Sequence, residues 1–372
     1  MRDTGAQEDT FEPAFAVLDR AVAEHAFPGA AIAVTLRGEL IAHRAFGRFT
    51  YDPAAASVAT GSIFDIASIT KALATTTMAM ILYERGLLDL EAPAAAIIPE
   101  LALGADPRRR DITLRMLLAH SSGLPAHDKF FQRTQNRTEL LAAALATPLA
   151  ADPGTLAAYS DIGFIILGVA LERLADEALD IFCRREIFGP LGMAHTVFNP
   201  PAGWRDRIVP TADETAGASA GSSTWRNRII QGEVQDENAS ILGGIAGHAG
   251  LFAPSEDIAI FAHAMLSGGR PILRPETMEL FTRRESQPEG TSRALGWDTP
   301  SSPSQSGKYF GPRSYGHLGY TGTSLWIDPD RQLSITLLTN RTWPDCQNQA
   351  IRKVRPVFHD AVIEALNTRG RA

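Results

Sequence analysis

Lysine is scarce in this chain: Lys71, Lys129, Lys308 and Lys353 are the four among 35 basic residues, and the remaining 31 are arginine. Cysteine is scarcer still, and Cys183 and Cys346 make neither a disulfide framework nor a thiolate metal cluster. No apolar run approaches the ~20 residues of a membrane helix. Excess positive charge is also missing: 35 basic against 42 acidic residues give −7, which leaves no footprint for nucleic acid. The one basic cluster, Arg108-Arg109-Arg110, reads as a solvated loop beside Pro107 and Asp111. An export signal would need a basic segment followed by an apolar one. Met1–Glu12 instead carries Asp3, Glu8, Asp9 and Glu12, so the expected location is cytoplasmic, or periplasmic if a signal was trimmed.

What is present is a globular composition, 45% hydrophobic and 21% charged over 372 residues, long enough for a large core. Phe11, Phe15, Leu18 and Val22 recur at helical spacing, predicting an amphipathic helix over 11–26 that Pro28-Gly29 ends. Two apolar runs, 30–36 and 40–46, flank the polar Arg37-Gly38-Glu39 and predict a hairpin. A second hairpin is expected from 324–327 and 333–338 about Asp328-Pro329-Asp330, then a helix over 349–367 that Pro356 must start or kink. Both chain ends should therefore build one antiparallel sheet flanked by helices. Between them, 64–85, 112–119, 138–146 and 161–189 read as helices, while 200–250 and 286–316 read as long loops. The expectation is an α/β chain of α+β type: one catalytic unit over 11–367 after a tail at 1–10. Its sheet subdomain is expected from about 11–85 and 255–367, with a helical and loop insertion over 86–254.

Several chemical signatures are missing too. There is no His-Glu-x-x-His, Walker loop or Cys-x-x-Cys, and Gly244, Gly247 and Gly250 lack the dinucleotide spacing, which favours a tight turn pressed against a cleft or another backbone. Gly217-Ala218-Ser219-Ala220-Gly221 spells G-x-S-x-G, but no apolar strand precedes it and no helix follows. Ser68-Ile69-Thr70-Lys71 stands in a stronger setting. With 21 serines in 372 positions the spacing alone says little. Ile63, Phe64 and Ile66 lead into it, however, and the helix after Ser68 is apolar almost all round to Tyr83, which predicts burial. Residues three apart share a helix face, so the Lys71 amine reaches the Ser68 hydroxyl. Desolvation lowers a lysine pKa and makes it a usable base, a role closed to arginine. The helix start supplies the Ser68 N–H as an oxyanion donor. Two further segments complete the candidates. Tyr159-Ser160-Asp161 opens the apolar helix after 161, with Asp161 suited to an N-cap. His317-Leu318-Gly319-Tyr320-Thr321-Gly322-Thr323 leads into the second hairpin, with Gly319 allowing a ligand close to the strand edge.

In this order the three segments resemble the Ser-x-x-Lys, Tyr-Ser-Asn and Lys-x-Gly set of the serine β-lactamase and penicillin-binding-protein superfamily, most closely its class C-like branch of esterases, amidases and D-amino-acid peptidases. The phrases 117–125 (LLAHSSGLP), 232–239 (GEVQDENA) and 243–252 (GGIAGHAGLF) support the resemblance, which runs from about 11 to 367. It implies a β-lactamase/transpeptidase-like fold and a cofactor-independent hydrolase, with no metal, acting on a small ester, amide or peptide. Ser68 would be the nucleophile, Lys71 its deprotonating partner, and Tyr159 the proton shuttle to the leaving group and from the deacylating water. Asp161 would orient Lys71 or the substrate amide. His317 and Gly319 would line the strand edge, with the Tyr320 N–H the second oxyanion donor. Two departures bear on this. Asp161 replaces asparagine and would raise the Lys71 pKa, placing more weight on Tyr159. His317 replaces lysine and removes a permanent cation for a substrate carboxylate. The expected function is amide or ester cleavage through a Ser68 acyl-enzyme, on muropeptide-derived substrates, with a small-molecule esterase or weak β-lactamase as the alternative. Rivals of other classes are a non-hydrolytic penicillin-recognising protein and a metallohydrolase using His248 with Asp236 or Glu237.

Overall fold

The computed structural model describes residues 8–103, 106–215 and 225–369. The Gly217–Gly221 segment lies outside them. Both chain ends do enter one sheet. Strands β1 (Gly29–Leu36), β2 (Glu39–Gly47), β3 (Tyr315–Leu318), β4 (Ser324–Asp328) and β5 (Leu333–Thr339) align antiparallel in the order β2-β1-β5-β4-β3. Arg37 and Gly38 make the first hairpin turn with φ of 52° and 84°, the left-handed pair that matches the twist of paired strands.

Side-chain alternation along β1 sorts the sheet into two faces. Ile32 and Val34 pack with Phe11, with Phe15 and Leu18 of helix α1 (Glu12–Ala23), and with Phe358 and Val362 of the C-terminal helix Ile351–Arg369. Ala31 points the other way, into a cluster shared with helix α2 (Thr77–Glu84), helix α3 (Asp161–Ala175) and helix α4 (Ser255–Leu266). A three-stranded sheet, Phe64–Asp65 with Leu251–Ala253 and Val197–Phe198, ties the segment before Ser68 to the glycine-rich run.

Local expectations need four corrections. The 64–85 segment opens as a strand at Phe64–Asp65, passes through a wide π turn at Lys71–Thr76, and becomes α2 only at Thr77. The 161–189 helix breaks at Asp176, whose left-handed φ of 50° ends α3. Arg109 is not solvated: it is buried and donates to the carbonyls of Leu145 and Thr147. Pro356 does not start the C-terminal helix but lies inside it. The Arg352 carbonyl that would have accepted its missing N–H accepts Gln305 Nε2 at 3.0 Å instead, so the helix runs through with that group satisfied. No described helix is long and apolar enough to cross a membrane.

Candidate active site

Ser68 stands at the first turn after a strained backbone position, Ala67 at φ +48°, whose N–H is held by Asp65 Oδ1 at 2.8 Å. Three residues on, Lys71 is completely buried and spends its ammonium on three acceptors: Ser68 Oγ at 2.9 Å, Asp161 Oδ1 at 2.6 Å and the His248 carbonyl at 3.0 Å. Tyr159 donates its hydroxyl to the same Ser68 Oγ at 2.8 Å. The expected Ser68, Lys71, Tyr159 and Asp161 thus form one cluster.

Asp161 is not the cap of α3. Ser160 takes that position, its hydroxyl accepting the Gly163 N–H at 3.0 Å, and this frees the Asp161 carboxylate for Lys71. The electrostatic outcome also differs from a lysine made basic by burial. Burial pulls the Lys71 pKa down, but Asp161 and Tyr159 pull it further up, and the net direction is upward. Burial, aided by Asp161, pushes the Tyr159 phenol up to about 12. At neutral pH the resting state is therefore an ammonium and a phenol, both donating to the Ser68 oxygen.

The third segment reaches the cluster from β3. Burial drives the His317 imidazole down to about 3, so it is neutral, with its Nδ1 2.8 Å from the Leu318 carbonyl. Gly319 is required by close approach: a Cβ there would lie 1.9 Å from Thr323 Oγ1 and 2.5 Å from the Ile66 carbonyl. Thr321 and Thr323 donate to the Asp65 and Ile66 carbonyls at 2.8 and 3.1 Å and stitch this loop to the turn before Ser68. Among the described residues, no backbone acceptor takes the Ser68 or Tyr320 N–H. The cleft over these groups has a volume of about 1300 Å³ and is lined by Ser68, Tyr159, His317 and Tyr320. Losing lysine at 317 does not empty it of cations, because Arg293 and Arg341 line it too.

Sequence reasoning missed the supports. The His120 ring lies 4.6 Å from that of Tyr159, and its Nδ1 accepts the Ser160 N–H at 3.0 Å, fixing the tyrosine from below. In the glycine-rich run, Gly247 presses on α3, where a Cβ would meet the Phe164 carbonyl at 2.2 Å, and this brings the next carbonyl, that of His248, to Lys71. The His248 ring pairs with Asp236 at 3.0 Å, and among the described residues no three His, Cys, Asp or Glu side chains converge on a metal position. Phrases 117–125 and 243–252 marked both supports as part of a shared pattern without revealing what they touch.

Comparison with known proteins gives the family and the fold. The β-lactamase family profile matches residues 15–355. An N-acetylmuramyl-L-alanine amidase of Bacillus subtilis (strain 168) is 32% identical over 349 residues, covering 85% of this chain and 77% of the relative. A putative D-alanyl-D-alanine carboxypeptidase of Escherichia coli (strain K12) is 33% identical over 304 residues, 76% of this chain and 70% of the relative. The structure of EstCE1, a hydrolase with promiscuous acyltransferase activity, superposes with a TM-score of 0.79 at 20% identity over 96% of this chain and 100% of that one, a likeness of fold. The chain belongs to the β-lactamase family of serine hydrolases.

Proposed function

We propose that this protein hydrolyses an amide or ester bond through a covalent Ser68 acyl-enzyme, acting on small muropeptide-derived substrates. The observation that carries the reading is the double grip on one hydroxyl, Lys71 Nζ at 2.9 Å and Tyr159 Oη at 2.8 Å from Ser68 Oγ. The substrate carbonyl oxygen is taken to sit between the Ser68 and Tyr320 N–H groups. In the resting state neither partner of Ser68 can accept its proton, so reaction starts from the form in which the Lys71–Tyr159 pair has lost one. Ser68 Oγ then bonds to the carbonyl carbon and its proton passes to that pair. Tyr159 delivers the proton to the leaving nitrogen or oxygen as the scissile bond breaks. Water repeats the sequence on the acyl ester, losing its proton to Tyr159 as the bond to Ser68 breaks and Ser68 regains a proton. The muropeptide assignment is supported by the names of the amidase and carboxypeptidase relatives.

The test is fluorophosphonate labelling of wild type and Ser68→Ala, joined to a hydrolysis panel of N-acetylmuramyl-L-alanine, D-alanyl peptides, p-nitrophenyl esters and nitrocefin. Labelling should vanish in Ser68→Ala, and the muramyl amide or D-alanyl peptide should turn over faster than nitrocefin. Equal labelling of both proteins would sink the mechanism, and turnover of esters alone would sink the substrate class.

The ion pair makes a pH prediction. Asp161 raises the Lys71 pKa, and activity requires the pair to lose a proton, so kcat/KM should rise with pH. Asp161→Asn removes the anion, Lys71 deprotonates more easily, and the rising limb should move to lower pH. A limb that stays in place or moves upward in the pH–rate profile would show that Lys71 ionisation does not control the reaction.

A further inference from the structure

Against the strand-end loop, in the wall of the cleft, lies a buried cation that the mechanism above does not use. Arg355, on the C-terminal helix, is 5% exposed. Among the described residues its hydrogen bonds go to backbone carbonyls alone: Nη2 to Gly319 at 2.8 Å and Thr323 at 3.1 Å, Nε to Gly322 at 3.3 Å. Its charged neighbours are Arg341 and Arg352, and burial with these like charges pulls it down to about 9, still protonated at neutral pH. A buried guanidinium placed beside two other arginines is costly for a loop that a neutral donor could brace.

The position of the Gly319 carbonyl gives that arrangement a use. A peptide bond is one planar conjugated unit, and the unit containing the Gly319 C=O carries the Tyr320 N–H at its other end. The same carbonyl also accepts the Gly322 N–H at 3.1 Å. Hydrogen bonds to the oxygen draw electron density from the nitrogen, and chained hydrogen bonds strengthen one another. We propose that Arg355 is a positioning residue of the oxyanion hole: its guanidinium, bonded to the Gly319 carbonyl, polarises and aims the Tyr320 N–H at the oxygen where negative charge develops. Ser68 has a different device, since the Ala67 carbonyl of its peptide accepts the Thr70 N–H at 3.0 Å at the helix start. Arg355 gives the second donor, which stands on no helix, an equivalent. Arginine suits the position because its planar fork serves the carbonyls of 319, 322 and 323 together while keeping its charge.

This rests on the reading of Ser68 and Tyr320 given above, and the test separates the two. Arg355→Gln keeps a donor for the loop and removes the charge, while Arg355→Lys keeps both. With a p-nitrophenyl ester, Arg355→Gln should lose about 10–100-fold in kcat/KM, somewhat less than outright removal of an oxyanion donor. Affinity for an uncharged ester in a Ser68→Ala background should not change, and Arg355→Lys should recover most of the rate. The infrared carbonyl band of a slowly hydrolysed ¹³C-labelled acyl-enzyme should shift to higher frequency in Arg355→Gln and return in Arg355→Lys, reporting the hydrogen bond directly. Equal loss in both variants together with weaker ligand binding would reduce Arg355 to a loop brace, and a wild-type band in Arg355→Gln would overturn the proposal. If the glutamine variant does not fold, the Tyr320 amide proton resonance should shift between wild type and Arg355→Lys, which changes the donor on its peptide carbonyl; an unchanged resonance would overturn the proposal. Labelling that persists in Ser68→Ala would instead overturn the underlying site.

Discussion

Replacing Lys71 by arginine should lower kcat/KM by about 10³–10⁴-fold, near the upper range for removing a positioned acid–base group. The charge survives this change, and a guanidinium has donors enough for Ser68 Oγ, Asp161 and the His248 carbonyl, the three groups Lys71 now holds. What is lost is the ability to give up a proton, because a guanidinium held against Asp161 keeps its proton throughout the working pH range. An effect of charge or hydrogen bonding alone would leave the variant active, so arginine isolates the proton. Lys71 is completely buried, and thermal melting must accompany the kinetics to show that the larger head group is accommodated. Fluorophosphonate labelling should slow in parallel with turnover, since both begin with attack by Ser68. A Lys71→Arg enzyme retaining more than a tenth of wild-type kcat/KM would refute the general-base role.

The same lysine shows which parts of the molecule were legible from sequence. The sheet was legible because its signals are local: Leu36 and Glu39 bracket a turn with glycine at the second position, and alternation along 30–36 marks both faces. Ser68 and Lys71 were legible as partners because three residues on one helix face are neighbours by geometry. The state of the lysine was legible only in part: Asp161 in place of asparagine flagged an anion that raises its pKa, but the contact itself spans 90 positions. The apolar setting alone argued for a depressed pKa, and Asp161 at 2.6 Å together with Tyr159 reverses the direction. The supports of the site were hidden for a similar reason. His120, Thr321, Thr323 and Arg355 act through contacts with backbone atoms, and a backbone carbonyl leaves no letter in the sequence. The π turn at Lys71–Thr76 and the Gln305 bond that lets Pro356 sit inside a helix are also tertiary overrides of local propensity.

Tyr159→Phe should separate the two halves of the proposed reaction. Phenylalanine keeps the ring that packs against His120 at 4.6 Å and lies 4.8 Å from the Lys71 ammonium, so the scaffold is preserved while the hydroxyl 2.8 Å from Ser68 Oγ is removed. The consequence depends on the leaving group. An amide nitrogen cannot depart as an anion and must receive a proton, whereas p-nitrophenolate leaves without one. For an amide, kcat/KM should fall by about 10³–10⁴-fold, at the upper end of general acid–base contributions. For acylation by a p-nitrophenyl ester the loss should be nearer about 10-fold, because Lys71 remains to receive the Ser68 proton. Deacylation should suffer in both cases, since water must lose a proton whatever acyl donor was used. The variant should therefore release one equivalent of p-nitrophenol in a burst and then turn over slowly, with an acyl group on Ser68 visible by mass spectrometry. Equal and small losses for amide and ester, with no burst, would remove Tyr159 from proton transfer and leave Lys71 to carry both steps.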